Sequence, residues 1–202
     1  MGRPRLHDKS TERDLIRAAE RLLATEGAEG LSVRRLAQAA GTSARAIYSV
    51  FGSMEGLLGA LFREAFLALI SDLDAQPPTD DPIADLIALG DQGFRVWALK
   101  RPALYGLVFG GRPLEPGVPD ADADAGVQAF GRLIARVRRC SAAGLFPEGD
   151  EPAIAMSFHA LCEGMASLEL RGRFPVDPVA DPADAWRQAL AALVNGYRTG
   201  PA

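Results

Sequence analysis

The sequence predicts an all-α protein of about nine helices. Three observations lead there. Apolar residues recur three and four positions apart over long stretches, the spacing that lines one face of an α-helix. Asp81-Pro82, Arg101-Pro102, Glu151-Pro152 and Asp181-Pro182 repeat one helix-start signal, with an acid before the proline in three of the four. Proline fits a first helical turn because its missing N–H costs nothing there, and the acid favours the positive helix end. No segment sustains the alternation of a half-buried strand.

The elements follow in order. A first helix is expected from Thr11 to Glu26, with Leu15, Ile16, Ala19, Leu22 and Leu23 inward and Gly27 closing it. Ser32 suits an N-cap, and Val33, Leu36 and Ala37 follow at helical spacing. Gly41 offers a left-handed stop at little steric cost. Ser43 caps the next helix, in which Ile47, Val50 and Phe51 share a face while Ala44, Arg45 and Tyr48 look outward. Two short helices across a glycine turn form a helix-turn-helix, whose second helix enters the major groove of DNA. The first helix cannot bury its stripe alone, so it packs across this pair as the third member of a small bundle. Ser53 caps a fourth helix to about Asp72, with Leu57, Leu58, Leu61, Phe62, Phe66 and Leu69 on its apolar face. Helices are then expected over Pro82 to Lys100, Pro102 to Phe109, Ala121 to Ala143, Glu151 to Arg171 and Ala183 to Arg198. The intervening Gly110 to Asp120 and Gly172 to Ala180 are rich in Gly and Pro and read as loops.

The run GTSARAIYSVFGSMEGLLGALF resembles the signature of TetR-type transcriptional regulators, over Thr11 to Phe66. In that signature the recognition helix ends in Tyr-x-x-Phe and a Ser-Lys-Glu-like cap opens the next helix. Tyr48 and Phe51 hold the first places; Ser53, Met54 and Glu55 hold the cap. Val50 stands where the family often has His or Tyr, and Met54 replaces the usual Lys, so weaker backbone anchoring is expected. FRVWALKRPALYGLVFG and FHALCEGMASLEL resemble two blocks of a TetR ligand-binding subclass named for a Trp, His and Gly signature. Phe158 stands where Trp is usual and Glu163 where His is usual; Gly164 is retained. The resemblance implies a basic N-terminal arm (1–10), a helix-turn-helix domain (11–52) and an effector-binding and dimerisation domain (53–202).

Arg45, in the first turn of the recognition helix, is the candidate base reader, because Arg to guanine O6 and N7 is the commonest specific major-groove contact. Thr42 and Ser43 offer hydroxyls to phosphate or base edges, and Ala44 a methyl to thymine. Tyr48 resembles the family tyrosine whose hydroxyl bonds phosphate. Ser32 and Arg34 are expected to meet phosphate on the opposite groove wall. In the arm, Arg3-Pro4-Arg5 suits the narrow minor groove of A·T-rich DNA, although a basic tail without a specific role has the same composition.

In the body, Phe94, Trp97, Tyr105, Phe109 and Phe158 fall on helices that would enclose an apolar interior, the usual setting of a small-molecule site. They are candidates for an effector pocket, as they are for plain core. Cys162 and Glu163 lie near Phe158 and could supply polarity, and a carboxylate among apolar neighbours needs a partner if buried. On the helix from Glu151, the stripe Ile154, Phe158, Leu161, Met165 and Leu168 is expected inward. A second stripe, Ala153, Ser157, Ala160, Gly164 and Ser167, permits close approach of another helix. With Trp186, Leu190, Leu193 and Tyr197 of the last helix it is assigned, as in the family, to a four-helix homodimer interface.

Composition bounds the function. The chain has 202 residues, nearly half of them hydrophobic, enough for a sizeable core without staples. Met1 to Gly52 carries nine Lys and Arg against six acids, +3, leaving −7 for the remainder of a chain at −4 overall. DNA binding needs a positive face, not a positive whole. Cys140 and Cys162 are far apart and lack metal-ligand spacing, so reduced core thiols and no metal or cofactor are expected. No apolar signal core, membrane-length run or myristoylation serine is present, which points to a cytoplasmic protein without a membrane partner. His7 and His159 are the only histidines; no HExxH, nucleophile elbow or phosphate-cradling loop accompanies them, so no enzyme is expected. The expected function is a homodimeric repressor, released from an inverted-repeat operator on double-stranded DNA by a small apolar effector. The alternative is a helical regulator or adaptor whose body binds a protein partner.

Overall fold

The computed structural model describes residues 9–110, 120–173 and 181–199, and every described element is helical. In order these are α1 (Lys9–Gly30), α2 (Val33–Ala39), α3 (Ala44–Phe51), α4 (Met54–Asp74), α5 (Pro82–Ala88), a π-helical segment (Leu89–Arg95), α6 (Val96–Lys100), α7 (Pro102–Phe109), α8 (Asp120–Ala142), α9 (Glu151–Leu170) and α10 (Pro182–Gly196). Counting α5, the π segment and α6 as one continuous rod gives nine helices among the described residues. The described residues form two compact units, one of residues 9–65 with 102–110 and 120–124, and one of 66–101, 125–173 and 181–199.

The first unit is built on α1, α2, α3, the first half of α4 and α7. Leu15, Ala19, Leu22 and Leu23 of α1 meet Leu36, Ile47, Leu57 and Leu61 in one buried cluster. The expected first helix runs longer than its sequence suggested: helical pairing continues to Gly30 across a kink at Gly27, where φ is 71° and ψ −176°. Serine caps work as expected. Ser32 Oγ accepts from Arg35 N at 3.3 Å, Ser43 Oγ from Ala46 N at 3.2 Å and Ser53 Oγ from Gly56 N at 3.1 Å. Each removes one orphan donor from a helix start. Between α2 and α3, Thr42 N donates to Ala37 O at 2.9 Å and Gly41 N to Gln38 O at 3.3 Å. With Gly41 at φ 61° this is a Schellman closure. It ends α2 and delivers Ser43 directly to the cap of α3.

The second unit holds the second half of α4, the rod from α5 to α6, α8 from Ala125 onward, α9 and α10. Its core gathers Leu86, Leu89, Phe94 and Trp97 with Phe158, Cys162, Trp186 and Leu190, all buried. The helix expected to run without interruption from Pro82 to Lys100 changes register to π at Leu89–Arg95. Two glycines let neighbours press against this segment: a Cβ on Gly90 would lie 2.8 Å from Leu190 Cδ1 and one on Gly93 2.9 Å from Leu73 Cδ2.

Asp85 anchors the start of this rod. It accepts from Thr79 N at 2.8 Å and Thr79 Oγ1 at 2.7 Å, and faces Arg139 and Arg136 of α8. Burial pushes its carboxyl pKa up, but the bonds from Arg139 and Thr79 outweigh that and hold it below the ordinary value. A carboxylate held low contributes stability above its unfolded pKa, ~3.9, and loses it as pH falls through the folded value. Asp85→Asn is therefore expected to cost about 1–2 kcal/mol at neutral pH. In urea titrations the gap to wild type should close below about pH 4.

Candidate nucleic-acid interface

α3 presents its outer face cleanly. Ile47 is fully buried and Val50 and Phe51 pack on the cluster beneath, so the helix cannot rotate without exposing its anchor. Gly41, Thr42, Ser43, Ala44, Arg45, Tyr48 and Ser49 are exposed, Tyr48 by 49%. Arg45 lies in the first turn of α3 and projects from the side opposite Ile47. Ser49, one turn beyond Arg45, is a surface residue the sequence analysis did not single out, although the four-residue spacing points to it. The hydroxyl oxygens of Ser32 and Ser43 are engaged in their caps, which leaves their O–H protons to donate. Arg34 is exposed in the first turn of α2, as is Arg35. From Gly30 to Met54 the chain has no acid and three arginines. This is a surface for an anionic duplex. Arg3 and Arg5 lie outside the described residues.

The body residues separate into groups the sequence did not resolve. Phe94, Trp97, Phe158 and Cys162 are buried together in the second unit, whereas Tyr105 and Phe109 belong to the first. There α7 packs on α1, with Tyr105 buried and its ring 5.4 Å from that of Phe109. The expected single aromatic set is thus divided between the two units. Glu163 is not a buried carboxylate: its side chain is 40% exposed and its Oε2 lies 3.6 Å from His159 Nε2. His159 stands edge-on to Phe94 and Phe130, with centroids at 6.1 and 6.0 Å, and burial pulls its pKa down against the pull of Glu163. Both cysteines are buried free thiols. Burial pushes the Cys162 thiol far up, as it does Cys140, to about 11. A thiol held protonated in this way is core material.

Two assignments to the outer face of the last helices are corrected. Trp186 and Leu190 are fully buried inside their own chain, so neither can face a partner. Leu168, expected inward, is 44% exposed, and its inward place is taken by Glu169. Tyr197 and Ser157 are half-buried and bonded to each other, Tyr197 Oη donating to Ser157 Oγ at 2.9 Å. Ala153, Ala160 and Gly164 are exposed. With Ser157, Ser167, Met156 and Leu168 they make an outward face of α9 with no charged member, bordered on the Met156 side by Glu163.

An ionic cluster in the second unit joins residues that no spacing in the sequence connects. Arg95 donates to Glu169 through Nε at 3.0 Å and Nη2 at 2.8 Å, and to Asp91 through Nη1 at 3.4 Å. Trp186 Nε1 donates to Glu169 Oε2 at 2.7 Å, and Arg187 closes on Asp91 at 3.2 Å. The π segment, α9 and α10 are joined by these bonds. Hydrogen bonding to Glu169 raises the Arg95 pKa further. Among the described residues no group of His, Cys, Asp or Glu is placed to hold a metal ion, and no helix is long and apolar enough to cross a membrane.

A capped recognition helix over a three-helix core, attached to a larger helical body, defines a helix-turn-helix DNA-binding regulator. Comparison with known proteins makes this specific. Residues 15–61 match the model of "Bacterial regulatory proteins, tetR family", and residues 86–193 that of "Tetracyclin repressor-like, C-terminal domain". The chain belongs to the TetR family of transcriptional regulators. It is 26% identical to an HTH-type transcriptional regulator of Mycobacterium tuberculosis, over 96% of each chain. A solved structure of a Rhodococcus sp. RHA1 protein of unknown function superposes with a TM-score of 0.82 at 28% identity, covering 98% of this chain and 100% of that one. A regulator from Saccharomonospora viridis, solved in complex with choline, has a TM-score of 0.70 at 20% identity, covering 96% and 100%. The family is one of bacterial regulatory proteins, and the Mycobacterium tuberculosis relative is a transcriptional regulator, not an enzyme.

Proposed function

We propose that the protein is a homodimeric repressor of the cytoplasm, released from a palindromic operator by a small apolar effector. The observation that carries the dimer is the uncharged outward face of α9. Small residues at three- and four-residue spacing, flanked by exposed Met156 and Leu168, suit close packing against a second copy. Gln188, Ala192 and Gly196 on the exposed side of α10 extend it, in place of Trp186 and Leu190. A two-fold pair built this way carries two recognition helices and matches an inverted repeat. Arg45, Thr42, Ser43 and Ala44 read base edges and phosphate in each half-site. Tyr48, Ser32 and Arg34 grip the backbone, and Arg3 and Arg5 follow the minor groove.

The effector binds within the body, where Phe94, Trp97, Phe158 and Cys162 supply an apolar surround and Glu163 a charged edge. It acts by favouring one spacing of the two heads over another, a differential affinity of about 1–3 kcal/mol. Selection from random duplexes, read by mobility shift, tests the operator, and sedimentation tests the pair. Enrichment of an inverted repeat bound by a dimer is the expected result; a monomer bound to single half-sites would refute the reading. Thermal-shift screening of apolar metabolites should yield a stabilising compound that also lowers operator affinity.

A further inference from the structure

Glu26 and Arg35 form an ion pair across the turn that joins α1 to α2, with Arg35 Nη2 2.8 Å from Glu26 Oε2. Two glycines make that approach feasible. Gly27 takes a positive φ of 71°, which breaks the direction of α1 just after Glu26. Gly30 leaves the space Glu26 occupies: a Cβ there would lie 2.3 Å from Glu26 Cβ and 2.7 Å from its Oε2. The Arg35 backbone is pinned as well, its N–H donating to Ser32 Oγ at 3.3 Å. The guanidinium nevertheless stays open, its side chain 52% exposed against 29% for Glu26.

An exposed ion pair contributes little to stability, and glycines in a turn cost conformational entropy on folding. Stability alone therefore gives a weak account of so constrained an arrangement. Its position offers a better one. Arg35 stands in the first turn of the first helix of the motif, beside Arg34 and the cap Ser32, on an acid-free stretch of chain. In helix-turn-helix docking this helix crosses the DNA backbone. A guanidinium has five donors in a fixed fork, so one N–H can be held by a carboxylate while others reach a phosphate.

We propose that Arg35 is a further phosphate ligand of this regulator, and that Glu26 is the positioning residue that aims its guanidinium at the DNA backbone. Held by Glu26, the side chain loses less freedom when the duplex arrives, which is where a pre-organised contact gains affinity. The contact reads no base and weakens with salt as any phosphate contact does. The inference rests on DNA binding by the helix-turn-helix and is independent of any effector.

The test is the salt dependence of operator binding for the full chain and its variants, by fluorescence anisotropy. Arg35→Ala is expected to weaken binding about fivefold on operator and unrelated duplex alike, and to reduce the slope of log affinity against log salt by about 2 for the proposed dimer, about 1 for each head. Arg35→Lys should restore the slope but not the full affinity, because a point charge lacks the fork. Glu26→Ala should weaken binding about threefold with the slope unchanged, since the arginine remains but is no longer aimed. Glu26→Gln, which keeps an acceptor oxygen, should fall between Glu26→Ala and wild type. An unchanged slope in Arg35→Ala would remove Arg35 from the interface. Tighter binding by Glu26→Ala would make Glu26 a competitor of phosphate and overturn the positioning role. Wild type that binds no duplex would overturn the helix-turn-helix reading, and this inference with it.

Discussion

Arg95→Ala is expected to lower the unfolding free energy by about 3–5 kcal/mol, the typical loss when one partner of a buried ion pair is removed. The side chain is 13% exposed and serves two carboxylates, Glu169 at 12% and Asp91 at 5%. Truncation leaves Glu169 with only the Trp186 N–H among the bonds described, and Asp91 with Arg187. The loss is thus chiefly stranded charge, which gives the experiment a second arm. In Arg95→Met with Glu169→Gln the glutamine oxygen still accepts from Trp186 Nε1 while the stranded charge is gone. That double variant should recover much of the loss in urea unfolding. A double variant as unstable as Arg95→Ala would place the cost in the packing of the arginine stem instead. Because the cluster binds the π segment to both α9 and α10, Arg95→Ala should also weaken the proposed dimer through their outer faces.

The second large effect is on recognition. Arg45→Ala should cost about 1–3 kcal/mol of operator affinity and relax selectivity at one position in each half-site, with flanking positions unaltered. Arg45 is the arginine that α3 itself carries, exposed in its first turn on a helix anchored by fully buried Ile47. Its neighbours Ala44, Tyr48 and Ser49 offer no comparable bidentate donor. Sequencing of duplexes selected by wild type and variant would show the change as a lost guanine preference. Equal loss on all duplexes would instead reassign Arg45 to the phosphate backbone.

The head was legible in the sequence because what builds it is local. Ser32, Ser43 and Ser53 each cap a helix within three residues, and Gly41 closes a turn with bonds that span no more than five. Such features follow from neighbours along the chain. The body depends on distant partners, which no local pattern along the chain reveals. The spacing of Trp186, Leu190 and Tyr197 identified one helical face correctly, but spacing cannot say whether that face meets the same chain or another copy. Phe94, Tyr105, Phe109 and Phe158 share helices expected to enclose one interior, but helical spacing does not say which interior; the packing of α7 on α1 places Tyr105 and Phe109 in the other unit. Glu169 was overlooked although Arg95, 74 residues earlier, makes it one of the most constrained carboxylates of the body. Gly90 and Gly93 inside an otherwise regular helical run were the available signal for the π segment.

The uncharged outer face of α9 has a consequence for conditions inside a cell. An association made through Ala160, Gly164, Met156 and Leu168 owes almost nothing to Coulomb forces, so dissolved ions leave it intact. The grip on a nucleic acid does depend on ions, and steeply. In the proposed dimer a rise in ionic strength would therefore release the duplex while leaving the pair intact.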